Sequence, residues 1–115
     1  MRTYQLHIRL HRTRVIQVGK LGRFRFPAGD YVYTGSARRN IEARVRRHRS
    51  RDKKLRWHID YLLAQPEAGI TGVQLSREPE CTVNARTPGT IVVARFGAGD
   101  CRAGCGSHLK YLGPR

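Results

Sequence analysis

Tyr4, Leu6, Ile8 and Leu10 alternate with Thr3, Gln5, His7 and Arg9, the period of two expected of a strand with one buried face. Such a strand cannot stand alone, since it needs partners along its edges and a cover for its apolar face. The next residues supply candidates. Val15, Ile16 and Val18, then Phe24 and Phe26, flank Gly19-Lys20-Leu21-Gly22, a pattern that predicts a hairpin turned by glycine-containing residues. Pro27-Ala28-Gly29 breaks that hairpin, and Tyr31 to Thr34 follows as another short strand. Gly35 ends it, expected here as a residue that reaches strained backbone angles at low cost.

Asn40 suits the N-cap of a helix that carries Ile41, Val45 and His48 along one edge, with Glu42 in its first turn. Arg44 and His48, four residues apart, are neighbours on that helix. Asp52 is expected to cap a second helix running through Leu55, Ile59, Leu62 and Leu63, ending before Pro66. Ile70 to Leu75 alternates as a strand, and Pro79 to Arg86 reads as a short helix with proline in its tolerant first turn. Strands are also expected at Ile91 to Phe96 and at Leu109 to Leu112. The result is an α+β fold with a small central antiparallel sheet, flanking helices and an inserted N-terminal hairpin, expected as one domain over residues 1–115.

Charge points to the partner. Twenty-three Lys and Arg against eight Asp and Glu leave +15 on 115 residues, a surplus that repels itself unless a polyanion screens it. Ten of the twenty-three lie between Arg38 and Arg56, so one surface should be strongly electropositive. Arg38, Arg39, Arg46, Arg47, Arg49, Lys53 and Lys54 are the candidate nucleic-acid contacts there, and arginine favours bidentate phosphate binding. A basic run is also compatible with a generic anion-attracting face. No segment approaches the roughly twenty apolar residues of a membrane span, and the N-terminal residues lack an apolar signal core. Three cysteines without an export signal fit a reducing, cytoplasmic setting.

Tyr33-Thr34-Gly35-Ser36-Ala37, followed by Glu42-Ala43-Arg44-Val45-Arg46-Arg47-His48, resembles the second half of the GIY-YIG nuclease signature. Thr34 replaces the usual Ile, and Arg2-Thr3-Tyr4 stands where the family has Gly-Ile-Tyr. With Val18-Gly19-Lys20-Leu21-Gly22, Phe26-Pro27-Ala28-Gly29, Trp57 to Leu62, Glu80-Cys81 and Ser107-His108-Leu109 in order, the chain resembles the small Uri-type endonuclease branch over nearly its whole length. The resemblance implies a metal-dependent endonuclease. Glu80 would hold Mg²⁺ or another divalent cation, Tyr4 and Tyr33 would position or activate water, Arg44 would clamp the scissile phosphate, and His48 would handle a proton or orient a neighbour. DNA is the expected substrate, although the sequence does not separate it from RNA or define an oligomeric state.

Each residue also has a plainer reading. Tyr4 and Tyr33 would fill a sheet core, Arg44 would be a surface arginine with a packed stem, and Glu80 would offset its own helix dipole. Asp52 and Asp60 have helix-cap or exposed-face explanations. Trp57 and His58 are expected to pack and to make a polar contact. Cys81, Cys101, Cys105 and His108 compose a further expectation, a tetrahedral structural zinc, against the alternative that the cysteines are small buried hydrophobes. Two other functions are therefore carried beside the nuclease: a non-catalytic nucleic-acid-binding accessory protein on the same scaffold, and a zinc-stabilised interaction module.

Overall fold

The computed structural model describes residues 1–98 and 104–114. Its N-terminal strand β1 (Thr3–Leu10) follows the predicted alternation: Tyr4, Leu6, Ile8 and Leu10 are all at most 2% exposed, while His7 and Arg9 on the other face are partly open to solvent. β2 (Arg14–Val18) and β3 (Gly22–Phe26) pair antiparallel around a single 3-10 turn, Gly19–Leu21. β4 (Gly29–Ser36) is longer than expected, beginning at a glycine with φ +143° where a Cβ would meet Gly113 O at 2.3 Å.

β4 and β5 (Ala68–Ser76) pair antiparallel with the two edges of β1, and β6 (Leu109–Gly113) pairs with β4. The sheet order is β5-β1-β4-β6, with β2-β3 as a separate two-stranded sheet. The apolar face of β1 packs in one core with Ile16, Val18 and Phe26 of the hairpin, Tyr31 and Tyr33 of β4, and Ile59, Leu62 and Leu63. The hairpin is thus a lid on the core, and its apolar alternation finds a use there. The fold class expected from sequence, α+β with a small antiparallel sheet flanked by helices, is the one observed.

Helix α1 (Ile41–Arg49) starts at Asn40, which adopts a left-handed conformation and accepts a hydrogen bond from Ala43 N–H at 3.1 Å. Its C-terminal end is closed by Lys53, whose ammonium donates to the carbonyls of Arg47, His48 and Ser50 at 3.0, 2.9 and 2.6 Å. A cation there satisfies carbonyls the helix leaves open and complements the negative end of its dipole. Arg51 does similar work after the next helix, donating to the carbonyls of Leu63, Gln65 and Ala68.

Helix α2 is shorter than predicted, His58–Leu63, and Asp52 does not cap it. Asp60 does so from inside: its Oδ2 accepts from the backbone N–H groups of Arg56 and Trp57 at 2.8 and 2.9 Å. Nor is Asp60 on an exposed face. It is wholly buried and bound by both terminal nitrogens of Arg47 at 3.0 and 3.1 Å. Burial favours its neutral acid, but Arg47 and the two amides outweigh that effect and hold the carboxyl below its ordinary range. Helix α3 (Glu80–Arg86) matches its expected position and lies against the reverse face of the sheet, where Gln5 bonds both Thr34 and Thr87.

Ile91 to Phe96 is not a strand. The segment is turned, with Arg95 at φ +65°, and it sends Val93 and Phe96 into the core from an irregular backbone. Only Thr90 forms a bridge, to Tyr111. Among the described residues, no helix is long and apolar enough to cross a membrane. Asp60→Ala would strip Arg47 of its partner and two amides of their acceptor. A loss of about 3 kcal/mol is expected in urea unfolding, near the low end for breaking a buried pair because Arg47 remains 24% exposed.

Candidate active site

Gly35 sits directly opposite Tyr4 in the β1–β4 ladder. Its backbone is not in the left-handed region, so the reason for glycine differs from the expectation. A Cβ there would lie 2.5 Å from both Cζ and Oη of Tyr4. The missing side chain is a notch across which the phenol ring reaches toward α1. There Tyr4 Oη lies 2.7 Å from Nε2 of His48, and the His48 ring stands 6.1 Å from that of Tyr33.

α1 delivers Arg44 and His48 to the same side. The positive charge of the Arg44 guanidinium favours the ionised form of the Tyr4 phenol, and one of its nitrogens is 3.4 Å from the carbonyl of Ser36. The guanidinium also stacks on Trp57, 4.6 Å from the ring centroid, with Arg47 at 4.2 Å from the same centroid. Trp57 therefore does more than pack: it lies against two guanidinium groups and 5.7 Å from the ring of His48. Stacking of this kind fixes the direction of a long, flexible cation.

Glu80 arrives from the opposite face, in the first turn of α3. Its Oε2 lies 2.8 Å from Nδ1 of His108, and the Ser36 hydroxyl nearby also favours the charged carboxylate. Burial would push the carboxyl up, yet those neighbours, with the charges of His108 and Arg44, bring it below its ordinary value. The charge of Glu80 is felt at Tyr4 and at Tyr33. The five residues singled out from sequence thus belong to one electrostatic neighbourhood, built from β1, β4, α1 and α3.

The two phenols are not ready-made bases. Burial drives Tyr4 up to about 12 against the opposing pull of Arg44, and Tyr33, 8% exposed, is driven further in the same direction, chiefly by burial. His48 moves the other way: burial, only partly offset by Asp60, lowers it from 6.5 to about 4. At neutral pH the pair is therefore an un-ionised phenol against an un-ionised imidazole. Glu80, ionised and partly open, is a hard oxygen donor, and magnesium is commonly held by one or two carboxylates with water and substrate oxygens, so Glu80 is the residue here that could hold such an ion.

Of the expected nucleic-acid contacts, Arg38, Arg39, Arg46, Arg49 and Lys54 are exposed. Arg47 and Lys53 are partly buried and are bonded to Asp60 and to the end of α1. His58 accepts from Gly97 N–H at 2.9 Å, the polar contact expected of it. Cys81, Cys105 and His108 come together, their ligand atoms lying within 4.8 Å of one another. Cys101, named with them from sequence, lies outside the described residues. Ser36 and Asp60 were missed as contributors. Ser36 stands directly after the Tyr-Thr-Gly run, and its position there was the available signal.

The fold and these residues define a small basic α+β domain with a dry tyrosine–histidine pair beside a carboxylate and an arginine. The chain matches the model of Domain of unknown function DUF123 over residues 3–115 and belongs to that family. Comparison with curated proteins and with solved structures gave no match.

The depressed His48 sets a pH dependence of stability. The folded protein leaves this imidazole unprotonated down to about pH 4, whereas an unfolded chain protonates it around 6.5, so the unfolded state binds more protons between those values. Its contribution is complete above pH 6.5 and is lost as pH falls toward 4, on the order of 3 kcal/mol in all; His58, also lowered by burial, adds in the same direction. Urea midpoints should fall between pH 6.5 and about pH 5, before carboxylates titrate, and His48→Gln should flatten much of that fall.

Proposed function

We propose that this protein is a metal-dependent endonuclease of the GIY-YIG type, of the small Uri-type branch, hydrolysing phosphodiester bonds in DNA in a cytoplasmic setting. The observation that carries the reading is the 2.7 Å Tyr4–His48 pair within the field of both Arg44 and Glu80. A core tyrosine needs no such company. The residue pattern of the signature and its order along the chain support the same conclusion.

Phosphodiester cleavage requires a positioned water, a destination for its proton and positive charge against the phosphate oxygens. Arg44, held over the Trp57 ring, faces the phosphate and stabilises charge that builds on it. Tyr4 takes the proton of the attacking water as it passes its own to His48 Nε2, so no free phenolate is needed. The arriving phosphate anion favours this transfer by making positive charge on His48 less costly. Tyr33, more deeply buried, orients rather than titrates. Magnesium, when bound at Glu80, supplies Lewis-acid stabilisation of the phosphate and leaving oxygens. Exposed Arg38, Arg39, Arg46, Arg49 and Lys54 hold the flanking backbone.

Plasmid nicking in Mg²⁺ tests the reading. Arg44→Ala, Glu80→Ala and Tyr4→Phe should each slow cleavage by about 10²–10³-fold, the scale for removing one transition-state contact, while DNA binding persists. Wild-type protein that binds DNA but leaves it intact across divalent metals and substrates would instead identify a non-catalytic accessory protein. Retention of full activity in Tyr4→Phe would remove the proton path but not the nuclease.

Binding should weaken steeply with salt, because each neutralised phosphate releases counterions. If the five exposed cations contact B-DNA phosphates, the log–log slope of affinity on salt is roughly −4.5, at about −0.9 per contact. Arg46→Ala combined with Arg49→Ala should reduce its magnitude by about 2. A flat salt response in the wild type would take this surface out of the argument.

A further inference from the structure

Cys81 follows Glu80 in the first turn of α3, while Cys105 and His108 come from the segment that leads into β6. Two elements distant in sequence thus converge two sulfurs and one imidazole nitrogen within 4.8 Å. Ligands around one tetrahedral zinc lie about 3.5–3.8 Å apart, given metal–ligand lengths of about 2.0–2.3 Å, so side-chain rotation closes the remaining gap. His108 is 2% exposed, and both cysteines are partly buried. An open cleft bordered by Cys81, Cys105, Asn84 and Lys110 gives an ion a path in.

We infer that Cys81, Cys105 and His108 form a site for one soft or borderline divalent cation of the zinc class, distinct in donor chemistry from the carboxylate site at Glu80. Two thiolates and an imidazole select zinc over magnesium, which prefers an all-oxygen shell. The imidazole of His108 also touches Glu80, with Nδ1 2.8 Å from Oε2. Coordination through Nε2 keeps that contact intact and reproduces the carboxylate–histidine–metal arrangement that orients ligands at many zinc sites. Metal at the cysteines would then fix the first turn of α3 and, through His108, the direction in which Glu80 points.

The test is metal uptake, which is read independently of cleavage. Full-length protein, stripped with chelator under reducing conditions and checked for retained secondary structure by circular dichroism, is titrated with Co²⁺. About one equivalent should bind per chain, giving thiolate charge-transfer absorption in the near ultraviolet and the intense visible bands of tetrahedral cobalt; Zn²⁺ should displace it and excess Mg²⁺ should not. Cys81→Ser and Cys105→Ser should each weaken uptake by at least 10-fold, whereas His7→Asn, on the solvent side of β1, should leave it unchanged. Absence of these bands in folded wild-type protein overturns the site. So does uptake that survives both serine substitutions, or a Cys81–Cys105 disulfide that persists in reductant. Nuclease activity without cobalt binding would refute this site alone, and cobalt binding without nuclease activity would refute only the reading of the Glu80 site.

Discussion

Asp60 is a wholly buried carboxylate in a chain with fifteen surplus positive charges, and much of the architecture around α1 and α2 follows from how it is satisfied. A lone ionised carboxylate in an apolar core would be untenable. Here its oxygens accept from Arg47 of α1 and from the two amides that open α2. The bond to Arg47 sets α1 against α2, and the bond to the Trp57 amide fixes where the indole emerges. The indole then lies against both Arg44 and Arg47 and beside His48. One buried charge therefore determines the orientation of the two α1 side chains that face Tyr4.

Around Tyr4 the physical theme is selective drying. Burial makes the phenol a poor acid and the imidazole a poor base, so protons stay put until something charged arrives. On the other side of the sheet, its polar and charged neighbours keep Glu80 ionised despite partial burial. The contrast is between neutral groups held neutral by loss of water and a charged group held charged by directed donors. Neither arrangement could be obtained from composition, because both depend on which side chains are shielded together.

Sequence periodicity was a good guide where one face of an element decides its fate. β1, the hairpin, α1 with its Asn40 cap and α3 all lie where alternation or capping residues placed them. It failed where a distant group overrides local preference. Asp52 has the chemistry of an N-cap, but Asp60, inside the helix, captures the amides first and delays α2 to His58. Ile91 to Phe96 has the apolar content of a strand, yet Arg95 turns left-handed and the segment hangs its apolar groups into the core without a ladder. In the site, the Arg44–His48 spacing was legible because four residues make one helical turn. The pairing of Glu80 with His108 was not, since twenty-eight residues separate them and only the reverse-face packing of α3 brings them together. Gly35 was correctly singled out for the wrong physical reason, clearance for a ring rather than backbone freedom.

The arginines and lysines that brace the scaffold have a second effect. Arg47, Arg51 and Lys53 use their donors inward, on Asp60 and on helix carbonyls, and so have fewer left with which to grip a ligand. Their charge is not cancelled by bonding to neutral carbonyls, so within about a Debye length of the surface Arg51 and Lys53 still add to the attraction of an approaching anion. Far-field attraction and near-field adhesion are therefore assigned to different residues. Mutating the braces would loosen the protein before it altered capture, while trimming the exposed cations would weaken contact and leave the frame standing.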